Sequence, residues 1–289
     1  MVTGAFHSCG LRTNGTVDCW GTNTNGQTTV PPGLVATDLV AGLYYTCALP
    51  TTGGVKCWGD AVGVSMPMDA VATKPTTGAF VGLFGGDTWA CAQASTGTLS
   101  CFGANFAFSS RASTYSIGIA ANGSSYAAIN LVTGQPLVSS GITGTVPTNP
   151  PNGHALVDCG EAYCCAVRES RAMPTDRLQG AVQCWGSNTP AAGQTAGRVL
   201  NAPPLTTLTA AINAGSYSAC AIQSTPSVPA TDLTLLCWGS TTDGVVSGRP
   251  SGQFVSVSVG SFHACAVELA GGVRCWGSNS SGQAPAFRQ

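Results

Sequence analysis

Gly4-Ala5-Phe6-His7-Ser8-Cys9 leads through the turn Thr13-Asn14-Gly15 to Cys19-Trp20-Gly21, and Gly260-Ser261-Phe262-His263-Ala264-Cys265 leads through Leu269-Ala270-Gly271 to Cys275-Trp276-Gly277. The same frame runs from Gly42 to Cys47 and Cys57-Trp58-Gly59, and from Gly86 to Cys91 and Cys101-Phe102-Gly103. It returns from Gly160 to Cys165 and Cys184-Trp185-Gly186, and from Gly215 to Cys220 and Cys237-Trp238-Gly239. Between Cys91 and Cys165 a degenerate copy fills the doubled interval, with Gly123 and Ser124 leading to Ala128 in place of the first Cys and Val138 in place of the second. Seven repeats of roughly 40 residues result, a period that belongs to stacked architectures.

Within a repeat the pattern reads strand, tight turn, strand. In four repeats the two Cys stand ten residues apart around a turn ending in Gly15, Gly53, Gly97 or Gly271. A three-residue hairpin loop with a left-handed Gly in last place sets those Cys opposite one another, at a separation a disulfide accepts. The register therefore pairs Cys9 with Cys19, Cys47 with Cys57, Cys91 with Cys101 and Cys265 with Cys275, and by analogy Cys165 with Cys184 and Cys220 with Cys237. The degenerate repeat loses both Cys together, as paired residues would. Independent zinc ligands have no reason to vanish as a pair, and the spacing does not match zinc sites, so no metal and no cofactor is expected. Cys159 and Cys164 flank the turn Gly160 to Tyr163 and are expected to pair across it; a reactive thiol pair is the alternative.

Short strands that bury one face only against neighbours predict an all-β fold: a single domain over 1–289, a seven-bladed β-propeller with about four strands per blade. Phe254 precedes Gly260 by six residues, and joining Gln289 to Met1 would put Phe287 six before Gly4. The C-terminal Phe287 to Gln289 strand is thus expected to pair into the blade begun at Met1 and close the ring.

Gly-x-x-His-x-Cys-Ala-Leu with a Gly turn and Cys-Trp-Gly-x-Asn-x-x-Gly-Gln resembles the regulator of chromosome condensation repeat superfamily, over the whole chain and best in Gly4 to Gln27 and Gly260 to Gln283. With a Cys pair per blade it is most similar to the extracellular branch, including the ectodomains of Crinkly-type receptor kinases, and by pattern to the propeller-type β-lactamase inhibitor protein. The resemblance implies binding by loops on a propeller face, with catalysis uncommon. It also implies, for the nuclear member that names the family, action on a small GTPase and on chromatin; paired Cys and sparse charge argue against both here.

Composition agrees. Only 8% of 289 residues are charged, with Lys plus Arg at 11 and Asp plus Glu at 12, and there are two Lys, Lys56 and Lys74. Nucleic-acid binding needs clustered cations and is excluded. Mean hydropathy of +0.21 is too high for disorder, yet no apolar run approaches the ~18 residues that insert in a bilayer. Fourteen Cys suit an oxidising, extracellular or cell-surface setting. No charged and apolar leader opens the sequence, so a secreted protein would be seen here in mature or excised form.

The Trp of Cys-Trp-Gly and Phe102 recur at one position and read as inter-blade packing rather than ligand stacking. Asn23 to Gln27, Asn279 to Gln283 and the looser Asn188 to Gln194 read as turns whose side-chain amides bond backbone, not calcium loops, since carboxylates are missing. More informative is the segment after the repeat Gly. Its third position carries His7, Tyr45, Trp89, Tyr126, Tyr163, Ser218 and His263; its second carries Phe6, Tyr44, Thr88, Ser125, Ala162, Tyr217 and Phe262. Successive strand residues alternate sides, so one set points into the blade and the other makes a ring on one face, with Asp87 and Glu161 beside it, unless both sets are packing. A second candidate is formed by two enlarged hairpins, Arg168 to Gly180 and Gln223 to Leu235, the first concentrating Arg168, Glu169, Arg171, Asp176 and Arg177. They would break seven-fold symmetry at the opposite ends of the same strands. Sequons at Asn14, Asn122 and Asn279 allow glycan cover in a eukaryotic source.

These features point to a secreted or cell-surface module that recognises a protein or glycan through propeller loops. The alternatives are a structural subunit of an extracellular filament or surface assembly, built from further copies of the chain or from other subunits, and a polysaccharide-degrading propeller enzyme using His, Tyr and Arg. Among the three His, His7 and His263 are equivalent positions, His154 stands apart, and no catalytic motif accompanies them.

Overall fold

A computed structural model describes residues 1–59, 74–103, 115–122, 125–130, 136–138, 154–168, 182–187, 201–202, 208–224 and 233–285. Among them are seven antiparallel sheets of three sequential strands. The first holds β1 (Val2–Thr3), β2 (His7–Leu11) and β3 (Val17–Gly21); the second β4 (Ala36–Ala41), β5 (Tyr45–Pro50) and β6 (Lys56–Gly59). The third holds β7 (Phe80–Gly85), β8 (Trp89–Ala94) and β9 (Leu99–Gly103); the fourth, from the degenerate repeat, β10 (Tyr115–Asn122), β11 (Ser125–Asn130) and β12 (Pro136–Val138). The fifth holds β13 (His154–Cys159), β14 (Tyr163–Arg168) and β15 (Val182–Gly186); the sixth β16 (Leu208–Ala214), β17 (Ser218–Ser224) and β18 (Thr234–Gly239); the seventh β19 (Phe254–Val259), β20 (His263–Glu268) and β21 (Val273–Gly277).

The hairpin register is the expected one. Cys9 faces Cys19, Cys47 faces Cys57, Cys91 faces Cys101, Cys165 faces Cys184, Cys220 faces Cys237 and Cys265 faces Cys275. Each pair is bonded, with Cα atoms 3.9–4.1 Å apart, and Cys159 is bonded to Cys164. Cys164 and Cys165 are successive strand residues on opposite faces, so the fifth sheet carries one bridge to each neighbouring strand. The turn glycines Gly15, Gly53, Gly97 and Gly271 have φ of 82–90°, the left-handed region a three-residue loop requires.

Two expectations are corrected. Ala128 faces Leu137, and Val138 faces Ala127, so the degenerate hairpin is one residue tighter than its disulfide-bearing counterparts. The connections 22–35 and 240–253, both fully described, form turns where a fourth strand was expected. An isolated bridge between Thr16 and Val35 is the extra pairing at the first of them. The C-terminal 287–289 strand lies outside the described residues.

The cysteine and aromatic repeats are one packing device. Cys9 and Cys19 pack with Trp58 of the next sheet, Cys47 and Cys57 with Phe102, Cys165 and Cys184 with Trp238, and Cys220 and Cys237 with Trp276. Cys265 and Cys275 of the last sheet pack with Trp20 of the first. Each of these five disulfides is therefore the apolar floor on which the following sheet lays its aromatic ring, and these rings are buried. The succession of neighbours passes from sheet to sheet and returns, with β19 and β20 against β1. Opposite each ring stands a small or short residue, Ser8, Thr46, Ala90, Cys164, Ala219 or Ala264, which leaves room for it.

Candidate functional site

Each described repeat Gly donates its amide to the carbonyl three residues on: Gly4 to His7, Gly42 to Tyr45, Gly86 to Trp89, Gly160 to Tyr163, Gly215 to Ser218 and Gly260 to His263, at 2.8–3.0 Å. The site needs glycine because a Cβ at Gly42 would enter the Tyr45 ring and the Gly86 carbonyl of the next sheet. This tight turn fixes which way the next residues point.

The third position points inward. His7, Tyr45, Trp89, Tyr163, Ser218 and His263 are buried, at 0–2% exposure. These side chains, offered above as ring members, are thus removed from ligand reach, and four of them, His7, Tyr45, Tyr163 and His263, act as ties to the following sheet. Tyr45 donates its hydroxyl to the carbonyls of Gly86 and Trp89, and Tyr163 to those of Gly215 and Ser218. The His ties differ. His7 Nε2 lies 2.9 Å from Thr46 Oγ1, and that hydroxyl donates to the Gln27 carbonyl. His263 Nε2 lies 2.7 Å from Ser8 Oγ, which donates to the Gln283 carbonyl. With the hydroxyl proton committed to a carbonyl, the ring proton belongs on Nε2. A His is thus followed by a Thr or Ser in the next sheet, and a Tyr by Ala90 or Ala219 at the same position.

The carbonyls of Gln27 and Gln283 also accept the Trp58 and Trp20 indoles, and Val245 accepts Trp276. In the loops Asn23 to Gln27 and Asn279 to Gln283 the amides bond backbone as expected. Asn23 Oδ1 accepts from Thr28 N, Asn279 Oδ1 from Ala284 N, and Gln27 and Gln283 Oε1 from Asn25 N and Ser281 N. The buried Gln side chains hold a loop whose carbonyl latches the next sheet.

Burial lowers the imidazolium pKa to about 4 for His7, and to about 3 for His263, where the neighbouring His7 adds to the effect. The Ser8 and His263 pair is closed to solvent, so it is a tie and not an accessible nucleophile and base.

The second position points outward, and four of its members form an arc. Tyr217, Phe262, Phe6 and Tyr44 are half-buried on four successive sheets, the sixth, seventh, first and second. Ring centroids are 5.9 Å apart between Tyr217 and Phe262, 5.6 Å between Phe262 and Phe6, and 6.3 Å between Phe6 and Tyr44, the last pair nearly parallel at 16°. At Thr88 and Ala162 the aromatic series gives way to small side chains, so the ring of the sequence reading is an arc. Asp87 is half-buried and Glu161 exposed beside these turns.

Inside the arc the first strands line a central cavity of about 180 Å³ that reaches up to Gly4, Gly42, Asp87 and Ser261. Its wall carries a second set of sheet-to-sheet bonds. Asp158 accepts from Cys159 N, Asn213 Nδ2 and Ala214 N, Asn213 accepts from Val259 N, and Thr3 meets Ser258 at 2.8 Å. Burial raises the Asp158 pKa to about 7 against the two backbone donors, Ala214 N and Cys159 N.

Of the remaining candidates, Tyr126, Arg168 and Asn122 lie on described strands, but their side chains, like Glu169, Arg171, Asp176 and Arg177, lie outside the described residues. Asn14 is exposed at a hairpin tip, its Oδ1 accepting from Thr16 N and Oγ1. Asn279 is exposed in its loop. Among the described residues there is no cluster of three or more metal-ligating side chains, and no helix long and apolar enough to cross a membrane. The Thr46, Ser8, Gln27 and Gln283 ties escaped the sequence reading, although the coupling of His to Ser or Thr and of Tyr to Ala is visible in the repeats once aligned.

The sequence profile of the regulator of chromosome condensation (RCC1) repeat matches residues 1–27 and 254–283. No curated protein matches the chain. The chain is similar in structure to the CRINKLY WD40 ectodomain of the Arabidopsis thaliana receptor kinase ACR4, with TM-score 0.69, 19% identity, and coverage of 97% of this chain and 94% of that one. It is similar to the ectodomain of the Physcomitrella patens receptor kinase CR4, with TM-score 0.66, 20% identity, and coverage of 94% and 70%. It is also similar to human WBSCR16, with TM-score 0.63, 14% identity, and coverage of 90% and 83%. The first and last repeats thus match the RCC1 repeat, and the disulfide-bearing fold as a whole is similar to that of these propeller ectodomains.

Proposed function

We propose that this chain is an extracellular binding module, a closed seven-bladed ring that holds a protein or glycan partner on the face made by the turns after the repeat glycines. The carrying observation is the arc of Tyr217, Phe262, Phe6 and Tyr44. While the other repeated aromatics among the described residues are packed inside, these four remain at the surface in one continuous strip on adjacent blades. Partly exposed aromatic rings around a polar cavity combine apolar contact area with nearby hydrogen-bonding groups, as recognition sites do. The disulfide in six of seven sheets and the likeness to receptor ectodomains support the extracellular setting. The test is saturable binding of the pure protein to arrays of extracellular proteins and glycans, comparing it with a Phe6→Ser, Phe262→Ser variant. Binding that the variant loses supports the reading, and a blank array or equal binding by both refutes it.

A second reading, a structural subunit of a surface assembly, is favoured by charge alone: with 8% charged residues the surface lacks the usual margin against self-association. Concentration-dependent sedimentation distinguishes it.

A further inference from the structure

We propose that the central cavity inside the aromatic arc is a socket for one lysine side chain of a partner polypeptide, with its ammonium seated on Asp158. The inference rests on the arc being the binding face, and it narrows the partner of that face to a protein with a protruding lysine.

The size of the cavity limits its occupant. At about 180 Å³ it falls below the roughly 300–1,000 Å³ of pockets that enclose a whole small ligand, so it admits a single side chain. Depth then sets the length of that side chain. Asp158, Asn213 and Ser258 each stand two residues before a repeat glycine, Gly160, Gly215 and Gly260, which places them about 6–7 Å below the glycine rim along their strands. An extended four-carbon stem spans that drop. Leu39, Val40, Leu83 and Val259 line the wall and give its methylenes an apolar surface.

The groups at the bottom select the head group. Asp158 is half-buried and lines the cavity, and among the described lining there is no Lys, Arg or His side chain. Burial holds its carboxyl pKa at about 7, and a cation brought beside it would restore the charged form. Oδ1 accepts from Cys159 N, and Oδ2 from both Asn213 Nδ2 and Ala214 N. Of the four or so lone-pair positions on a carboxylate, about one is left, on Oδ1. A guanidinium binds best through two parallel bonds to both oxygens, which these donors obstruct. An ammonium needs only one oxygen, and it can turn its remaining N–H groups to water or to the Thr3 and Ser258 hydroxyls, which line the same cavity. Aromatic rings around the mouth, Phe6 and Phe262 among them, attract a cation that passes over their faces.

The experiment uses the intact disulfide-bonded chain and the fluorescent peptide Ac-Gly-Tyr-Lys-Tyr-Gly-amide, with norleucine, Nε-acetyl-lysine, arginine or diaminobutyrate in place of the lysine, and with free n-butylammonium for comparison. The expected result is saturable anisotropy with the lysine peptide, at least tenfold weaker for norleucine, acetyl-lysine and n-butylammonium, and at least fivefold weaker for arginine and the shorter diaminobutyrate. Asp158→Asn should bring the lysine peptide down to the norleucine level and leave the norleucine peptide unchanged, with circular dichroism melts showing that the variant is folded. Carbon-13 NMR of Asp-labelled parent protein reads the same contact without a substitution: the Asp158 midpoint should fall by at least one pH unit with the lysine peptide bound. Equal binding of the lysine and norleucine peptides, both lost in a Phe6→Ser, Phe262→Ser variant, would overturn the socket and leave the arc standing. A lysine preference that survives undiminished in that arc variant would support the socket and refute the arc. Absence of lysine-peptide binding, an unmoved Asp158 midpoint, or n-butylammonium bound as tightly as the peptide would each overturn the proposal.

Discussion

His263 in the last sheet bonds Ser8 in the first, Nε2 to Oγ at 2.7 Å, across 255 residues of sequence. The same tie joins His7 to Thr46 one blade on. The seam where the chain's first and last sheets meet is therefore built like an ordinary inter-blade seam.

Removing the hydroxyl from either tie should leave a buried ring N–H without its acceptor and a buried carbonyl held by the Trp58 or Trp20 indole alone. Thr46→Val and Ser8→Ala are each expected to lower unfolding stability by about 1–3 kcal/mol in chemical denaturation. His7→Tyr alone should be worse, because the larger ring meets the Thr46 methyl and hydroxyl. His7→Tyr with Thr46→Ala reproduces the Tyr45 and Ala90 pattern and should recover most of the loss. A double variant no more stable than His7→Tyr would show that the two positions are not coupled.

Stability should fall on acidification through a window the ties define. His7 and His263 have folded pKa values of about 4 and about 3, below the ordinary 6.5. Unfolded chains take up these protons first, so the contribution is full above 6.5 and is lost as pH falls toward 4, by an amount on the order of 3 kcal/mol. Asp158 works in the opposite sense. Its folded pKa of about 7 lies above the ordinary 3.8, so its contribution is full below 3.8 and is lost as pH rises through 7. Between pH 7 and 4 the His loss should win by number, and Asp158→Asn should make it steeper. Melting curves that are flat from pH 7 to 4 in both proteins would contradict the assignment.

How much of this was legible follows from distance along the chain. Hairpin register is local, so the spacing of Cys9 and Cys19 or of Cys159 and Cys164 determined the bonds. Alternation along a strand left two choices for the post-glycine face, and only the turn after Gly42 or Gly260 decides that Tyr45 and His263 go in while Tyr44 and Phe262 stay out. The tie from His7 to Thr46 and Gln27 joins residues of different repeats, which pattern within one repeat cannot reveal. Ala128 opposite Leu137 was missed because, without a disulfide, nothing fixed the tenth residue.

Every Cys should be found in a bond within its own sheet. Peptide mapping without reduction should recover Cys9 with Cys19 and Cys159 with Cys164, and links between sheets would contradict the register. Replacing Cys9 and Cys19 by Ala should cost about 3 kcal/mol from loop closure, and more where Trp58 loses its floor.

Expression in a eukaryotic secretory host should place a glycan on Asn14, which is exposed at a hairpin tip. The mass increment should disappear in Asn14→Gln, and an unmodified Asn14 peptide would contradict this.

The central claim is that the aromatic arc is the binding face, and the most direct measurement is the affinity of one identified partner, protein or glycan, for two proteins: the parent and Tyr44→Ala with Phe262→Ala. The account predicts at least a tenfold loss in the arc variant, with melting unchanged. Full affinity in the arc variant would contradict it.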